Sequence, residues 1–257
     1  MKIIEYHRPE RLEQALALLQ RPDPRTLPLG GGTWLNQPGG EPVAVVDLQS
    51  LGLDELQRQG QFLQLGATLR LQSLLEQTEA AGLGLPPTLA DVIRHEATYN
   101  LRQAATVAGT LVAANGRSPF TAAFLALEAS VLLMPDGQEV GLGDLLPLRS
   151  ERLRGRLITR ITIPTNARLS YEYIARTPAD QPIVCAALAA WPSGRLRLSL
   201  GGYGAMPVLA FDGTEADGLA IAAQSAYDQA ADQWASAAYR REMAGVLATK
   251  CLAAIQG

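Results

Sequence analysis

The sequence predicts an α+β protein: a two-lobed N-terminal domain over residues 1–165, with lobes of about 1–56 and 57–165, followed by a C-terminal domain over 166–257 built from a three-stranded sheet plus helices. Three observations carry this prediction. Short apolar runs of strand length alternate with stretches whose leucines recur at helical spacing; the hexapeptide Arg195-Leu196-Arg197-Leu198-Ser199-Leu200 alternates strictly; and the C-terminal segment carries one continuous apolar stripe. No repeat, low-complexity tract or long linker separates the parts.

Ile3 to Tyr6 reads as a strand, and Pro9 opens a helix in which Leu12, Leu16 and Leu19 share one face. Thr26 to Leu29 feeds a glycine loop, and Val43-Ala44-Val45-Val46-Asp47-Leu48 is a buried strand that completes the first lobe. Phe62 to Gly66 begins the second lobe. Thr68 and Thr88 are expected to cap helices carrying Leu71, Leu74 and Leu75, and Leu89, Val92 and Ile93. Asp136-Gly137, set between two apolar runs, signals a hairpin. Beyond Ile163-Pro164, strands are expected at Ser170 to Ala175, Ile183 to Trp191 and Arg195 to Leu200, the last with one wet and one packed face. A helical stretch from about Glu215 to Ala231 follows, and a final helix places Tyr239, Met243, Val246, Leu247, Cys251 and Ile255 on the stripe that covers the sheet.

Composition excludes several classes of function. At 257 residues and 47% hydrophobic content the chain builds a packed core, and a net charge of −3 argues against a nucleic-acid partner. No apolar run approaches the roughly 20 residues that span a bilayer, and Met1-Lys2-Ile3-Ile4-Glu5 lacks the apolar core of a signal peptide, so a cytoplasmic location is expected. Two cysteines, Cys185 and Cys251, and two histidines, His7 and His95, cannot supply the thiolates of an iron–sulfur cluster, and no pair has zinc-ligand spacing. No metal site is expected. Both cysteines lie in apolar runs and read as small buried hydrophobes. No nucleophile with a base, paired carboxylate or metal triad presents itself, so no catalytic residue is assigned and any hard chemistry belongs to a cofactor.

Two glycine-containing segments stand out: Pro28-Leu29-Gly30-Gly31-Gly32-Thr33, and Arg102 to Leu111, which contains Thr106-Val107-Ala108-Gly109-Thr110. Consecutive glycines let a main chain expose unshielded N–H groups to a pyrophosphate, although three glycines after Pro-Leu are more often a flexible turn. The dinucleotide fingerprint is excluded because Pro38 stops any helix opening at Trp34, and no Gly-Lys-Ser or Gly-Lys-Thr of a phosphate-binding loop occurs.

In order and spacing these segments resemble the FAD-binding (medium) subunit of the molybdenum hydroxylases, the family of carbon monoxide dehydrogenase and xanthine dehydrogenase. The resemblance also takes in Ile3 to Pro9, Leu65-Gly66-Ala67-Thr68, Phe124 to Ala129, Leu157 to Pro164 and Trp234 to Met243, and so runs nearly end to end. It implies a PCMH-like two-lobed FAD-binding domain holding non-covalent FAD through Leu29, Gly30, Gly31, Gly32, Thr33 and Trp34 on the first loop. On the second it implies Thr106, Val107, Ala108, Gly109 and Thr110, with Asn115 beside it. It implies two partners, an iron–sulfur subunit and a molybdopterin-binding subunit, and an oxidoreductase role: electrons from the clusters reach FAD and pass to an external acceptor. Gly201-Gly202-Tyr203-Gly204 is similar to a loop whose aromatic residue approaches the flavin in some members. The arginines Arg149, Arg152, Arg154, Arg156, Arg160 and Arg168 form a solvated face or a docking rim.

Three departures from the family pattern set up an alternative. Trp34 stands where the family has a polar residue, Ala108 where it has glycine, and Pro119 where it often has aspartate. If position 108 needs positive φ, FAD binding is weakened or lost, and the chain is a family-fold scaffold or inactive paralogue. A stand-alone flavoenzyme is a further alternative.

Overall fold

The computed structural model describes residues 2–35 and 41–257. The expectation about Pro38 lies outside them. In chain order the elements are β1 (Ile3–His7), α1 (Leu12–Gln20), β2 (Thr26–Leu29), β3 (Val43–Asp47), β4 (Leu56–Gln59), β5 (Phe62–Gly66), α2 (Leu71–Glu79), α3 (Leu89–Glu96), α4 (Tyr99–Arg102), α5 (Val107–Ala113) and α6 (Pro119–Ala126). They continue as β6 (Ser130–Met134), β7 (Gln138–Gly141), α7 (Leu142–Leu145), α8 (Arg149–Arg152), β8 (Leu157–Pro164), β9 (Arg168–Ile174), β10 (Val184–Ala190), β11 (Leu196–Gly201), β12 (Val208–Gly213), α9 (Leu219–Ala226) and α10 (Ala237–Gln256). Two compact units form. Unit 1 comprises Met1–Leu74, Tyr99–Ala113 and Ser130–Thr162; unit 2 comprises Leu75–Thr98, Ala114–Ala129 and Ile163–Gly257.

Unit 1 contains a three-stranded parallel sheet in the order β1-β3-β2. Its central strand is rich in valine and buried along its whole length, as a strand covered on both faces must be. α1 closes one side: Ala15, Leu16 and Leu19 pack with Val46, Leu48 and Leu157. The helix starts at Leu12 rather than at Pro9, with no side-chain cap at Arg11. The second sheet of this unit has five strands in the order β4-β5-β8-β6-β7. The Asp136-Gly137 hairpin joins β6 to β7 as expected, Gly137 taking φ +65°. A second hairpin, β4 to β5, turns at Gly60 with φ +59° and was not anticipated, because Leu56-Gln57-Arg58-Gln59 is polar and exposed after its first residue.

Unit 2 is organised on an antiparallel sheet ordered β12-β11-β10-β9, so the C-terminal sheet has four strands and not three. The extra strand, β12, lies at an edge and is half-exposed along most of its length, which leaves no alternation for a sequence pattern to reveal. One face of the sheet presents Val184, Ala186, Leu188, Leu196, Leu198 and Leu200 to Leu219, Ala223, Ala244, Leu247, Ala248 and Cys251 of α9 and α10. The opposite face, expected to be wet, is dry. Ser199 Oγ donates to the Ala122 carbonyl at 2.5 Å and an Arg197 guanidinium N–H to the Leu125 carbonyl at 3.3 Å, so α6 covers it. Every residue of α6 is buried, and Ser118 caps the helix by accepting the Thr121 amide at 3.1 Å, with Pro119 in the first turn, where its missing N–H costs nothing.

Other helix details depart from expectation. The buried stripe of α10 is Arg240, Ala244, Gly245, Leu247, Ala248, Cys251 and Ile255; Tyr239 and Val246, expected on it, are exposed. Thr88 already has helical φ and ψ and makes no capping bond, while α2 begins at Leu71, too far along for Thr68 to cap it. Among the described residues no helix is long and apolar enough to cross a membrane.

Candidate functional site

The first glycine loop leaves the C-terminal end of β2, the end of a parallel strand at which ligands of α/β sheets gather. β2 is held in register to its last residue, the Leu48 amide donating to the Leu29 carbonyl at 3.0 Å. The chain then runs directly onto residues 104–106. A Cβ at Gly31 would stand 1.7 Å from the Ala104 carbonyl oxygen, and one at Gly30 would stand 2.8 Å from Thr106 Oγ1. Close approach of backbone to backbone therefore excludes a side chain at Gly31, while Gly30 is pressed by the Thr106 side chain. Only Gly32 has left-handed φ, +71°. Gly30, Gly31 and Gly32 are half-exposed, and Thr33 and Trp34 are exposed.

The second segment is held by unit 1 itself. The Val107 amide donates to Leu69 O at 2.8 Å, Ala108 to Ala67 O at 3.1 Å, and Leu71 to Ala105 O at 3.0 Å, while Arg70 and Thr106 form an isolated antiparallel bridge. Thr106 then caps α5: Oγ1 accepts the Gly109 amide at 3.2 Å, and its carbonyl accepts the Thr110 amide and the Thr110 hydroxyl, both at 2.9 Å. The same Oγ1 would lie 2.8 Å from a Cβ at Gly109, so this one side chain sits against a glycine of each loop. Thr106 is the joint between them. The supporting carbonyls of Ala67, Leu69 and Ala104 carried no signal in the sequence, since they act through backbone that any residue supplies.

The two loops consequently offer different chemistry. All four leading amides of α5, from Val107 to Thr110, are already spent on protein acceptors. The amides of Gly30, Gly31 and Gly32 donate to no acceptor on any described residue. Donors for an anion are thus available on the first loop and not at the start of α5, where the second segment presents little side chain: half-buried Ala108, exposed Gly109 and half-buried Thr110. No histidine, cysteine, aspartate or glutamate lies in either loop, and no group of three or more such residues is placed to hold a metal among the described residues.

Ala108 lies within α5 and does not have positive φ, so its methyl group strains nothing. The condition under which an alanine there is costly, positive φ at position 108, is therefore not met. Ala108→Gly is expected to lower stability by up to about 1 kcal/mol, the cost of glycine in a helix, without tightening any ligand; thermal melts and ligand titration of the two proteins check both parts.

Asn115 belongs to unit 2. Its Oδ1 accepts the Arg117 amide at 2.8 Å, which spends it on a local turn. In the same unit Gly116 packs against the Gly202–Gly204 loop: its amide donates to Gly204 O at 2.9 Å, Gly202 donates back to Gly116 O at 2.7 Å, and a Cβ at Gly116 would fall 1.9 Å from Tyr203 O. The basic segment is less uniformly solvated than expected; Arg156 pairs with Asp136 at 2.7 Å, and burial lowers the pKa of Arg149. His7 ends β1 and His95 lies in α3, while Cys185 in β10 and Cys251 in α10 are buried thiols, each pushed up to about 12 by burial.

The first glycine loop, whose amides donate to no described residue, ends a parallel strand and is braced by a second glycine-bearing segment. The chain matches, over residues 2–166, the family described as the FAD binding domain in molybdopterin dehydrogenase, and it belongs to that family. It is 27% identical over 251 residues to the uncharacterized protein YgfM of Escherichia coli K12, across 95% of this chain and 93% of that one. Among solved structures it is similar to a chain of the reconstituted CO dehydrogenase from Oligotropha carboxidovorans, with TM-score 0.82, 24% identity, and 96% of each chain covered. It is also similar to a chain of quinoline 2-oxidoreductase from Pseudomonas putida 86, with TM-score 0.80 and 21% identity over 96% of this chain and 94% of that one. At these identities the structural matches establish the fold.

Proposed function

We propose that the protein is the flavoprotein subunit of a molybdenum hydroxylase, holding FAD non-covalently on the two glycine loops. One observation carries this: three consecutive glycines whose amides donate to no described residue, at the C-terminal end of a parallel strand, with backbone leaving no room for a side chain at Gly31. The residues fit the cofactor. Gly30, Gly31, Gly32 and Thr33 present backbone N–H groups to the pyrophosphate, Leu29 and Trp34 flank them, and Thr106, Val107, Ala108, Gly109 and Thr110 form the second wall. Asn115 is retained as a candidate for a ribityl hydroxyl, at the cost of its bond to Arg117. FAD, when bound, supplies exchange between one-electron and two-electron partners. The chain's own residues bind it, orient it and exclude water; none acts as acid or base.

Residues 1–165 are assigned as the FAD-binding domain and 166–257 as the C-terminal flavoprotein domain, a division supported by the end of the family match at residue 166. With two cysteines in 257 residues, the chain supplies no set of four thiolates, so clusters feeding a flavin come from an iron–sulfur subunit, with a molybdopterin-binding subunit upstream. The scaffold alternative loses its main support with the helical conformation of Ala108. Titration of the purified full chain with FAD tests the proposal. The expected result is a yellow protein with one FAD per chain and saturable quenching of flavin fluorescence. A colourless protein that leaves added FAD unperturbed, alone and co-expressed with its neighbouring subunits, overturns it.

A further inference from the structure

In unit 2, three loops bring two guanidinium groups onto one indole. Arg117 Cζ lies 4.6 Å and Arg176 Cζ 4.8 Å from the centre of the Trp234 ring. Arg117 precedes α6, Arg176 follows β9, and Trp234 precedes α10. Each is fixed in its own way. The Trp234 and Ala235 amides donate to Asp232 Oδ1 at 2.7 and 3.2 Å, and Asp232 is held in turn by the buried Arg240 at 2.8 Å. Arg117 donates through Nε to Pro182 O at 2.9 Å and through Nη2 to Gln181 O at 2.7 Å.

Arg176 differs. Its guanidinium makes no hydrogen bond or ion pair with any described residue, and neither does the indole N–H of Trp234. The cation–π contact places the Arg176 guanidinium over the ring and uses none of its N–H donors, which remain available to a ligand. The nearby carboxylates do not fill that need: Asp232 is taken up by Arg240 and two amides, and Asp180 Oδ2 accepts the Thr177 amide at 3.2 Å. Arg117 is surrounded by Asp232, Arg240, Asp180 and Arg176, and burial lowers its pKa, as expected of a cation short of compensating charge. Three guanidiniums against two carboxylates make a locally positive spot on a chain of net charge −3.

We propose that Arg176, Trp234 and Arg117 form a binding site for the oxyanion group, phosphate or carboxylate, of a small molecule. Arg176 supplies a bidentate fork, Trp234 the rigid platform that holds it, and Arg117 a second positive charge. The site stands on unit 2 alone and does not depend on the FAD reading.

The test is calorimetric titration of the full chain at low ionic strength with inorganic pyrophosphate and, separately, with succinate. Wild type is compared with Arg176→Gln, Trp234→Leu and, as a control from another surface, Arg152→Gln. Saturable binding is expected in wild type and Arg152→Gln, weakened about tenfold or more in Arg176→Gln, the loss of one charge-assisted pair, and similarly in Trp234→Leu. Arg176 is exposed, so its variant folds. Preference for pyrophosphate or for succinate identifies which oxyanion the site takes. Absence of binding by both anions overturns the proposal, as does equal affinity in wild type and Arg176→Gln, which would place the anion elsewhere, for instance on the Gly30–Gly32 amides.

Discussion

Gly31→Val is expected to abolish FAD binding while leaving the rest of the protein folded. The first substituent atom at this position would lie 1.7 Å from the Ala104 carbonyl oxygen, 2.5 Å from its carbon and 3.2 Å from the Ala105 nitrogen. All three are backbone atoms, so no rotamer change relieves the clash. Ala104 and Ala105 are tied in turn: their amides donate to Leu101 O at 3.1 and 2.7 Å, and Ala105 O accepts the Leu71 amide. The first loop must therefore lift away from the second, carrying the Gly30–Gly32 amides out of reach of the pyrophosphate. Loss of two amide bonds to a charged group, about 1.5–3 kcal/mol each, weakens binding by roughly 100-fold or more. Gly31→Ala should do nearly as much, since the clash is made by Cβ itself. Gly82→Ala is the matched control, with nothing within 4 Å of its Cβ and no left-handed φ. Flavin absorbance after gel filtration reads occupancy, and circular dichroism reads the fold. Unchanged FAD affinity in Gly31→Val would reduce the loop to a turn.

How much of this was legible beforehand differs between fold and site. Valine-rich β3, the Asp136-Gly137 hairpin and the leucine face of β11 were read from periodicity because each depends on which side chains prefer water. The other face of β11 was misread for the same reason. Arg197 and Ser199 look solvent-facing by type, yet each is buried: Ser199 bonds an α6 carbonyl, and Arg197 bonds the α6 carbonyl of Leu125 while pairing with Asp212. The corrective signal was α6 itself, a run apolar on every side, which has to be covered all round. In the site, the glycines announced themselves, but their reason did not. Left-handed φ was the natural suspicion and applies only to Gly32; Gly30, Gly31 and Gly109 are small because Thr106 and Ala104 press against them. For Gly30 and Gly31 that is a tertiary contact between segments more than seventy residues apart in the chain, invisible to local pattern; for Gly109 it is the capping side chain three residues earlier. The condition on Ala108 fails for a related reason, since a cost from positive φ presumes a loop and the chain is helical there.

Arg240→Met is expected to give the largest loss of stability of any single substitution considered, about 2–5 kcal/mol, because it leaves buried acceptors without a donor at about 1–3 kcal/mol each and removes a charge-assisted bond to the part-exposed Asp232. The Arg240 side chain is completely buried. Its Nε donates to Ile183 O at 3.1 Å, Nη1 to Ala230 O at 2.9 Å and to Ala235 O at 3.1 Å, and Nη2 to Asp232 Oδ1 at 2.8 Å; Tyr203 lies over it at 5.1 Å. One guanidinium thus ties α10 to the start of β10 and to both ends of the loop before α10. Methionine fills the volume but leaves the Ile183 and Ala230 carbonyls without this donor, while Ala235 O keeps the Asp232 amide and Asp232 keeps the Trp234 and Ala235 amides. Lysine keeps the charge without the fork and should recover only part of the loss. Urea unfolding of the full chain measures the differences, and a change below about 1 kcal/mol in the methionine variant would contradict this account. The acid limb gives a second check. Burial alone would raise the Asp232 pKa, but hydrogen bonds from Arg240 and from the Trp234 and Ala235 amides hold it below the usual carboxylate value. A carboxylate so depressed contributes its full stability above about pH 3.9, its unfolded value, and loses it as pH falls through the lower folded value. Without Arg240 the strongest of those donors is gone, the folded and unfolded values converge, and the part of acid destabilisation that belongs to Asp232 shrinks. A methionine variant as acid-sensitive at this group as wild type, read from the Asp232 carboxyl titration by NMR, would show that Arg240 does not hold the carboxylate at all.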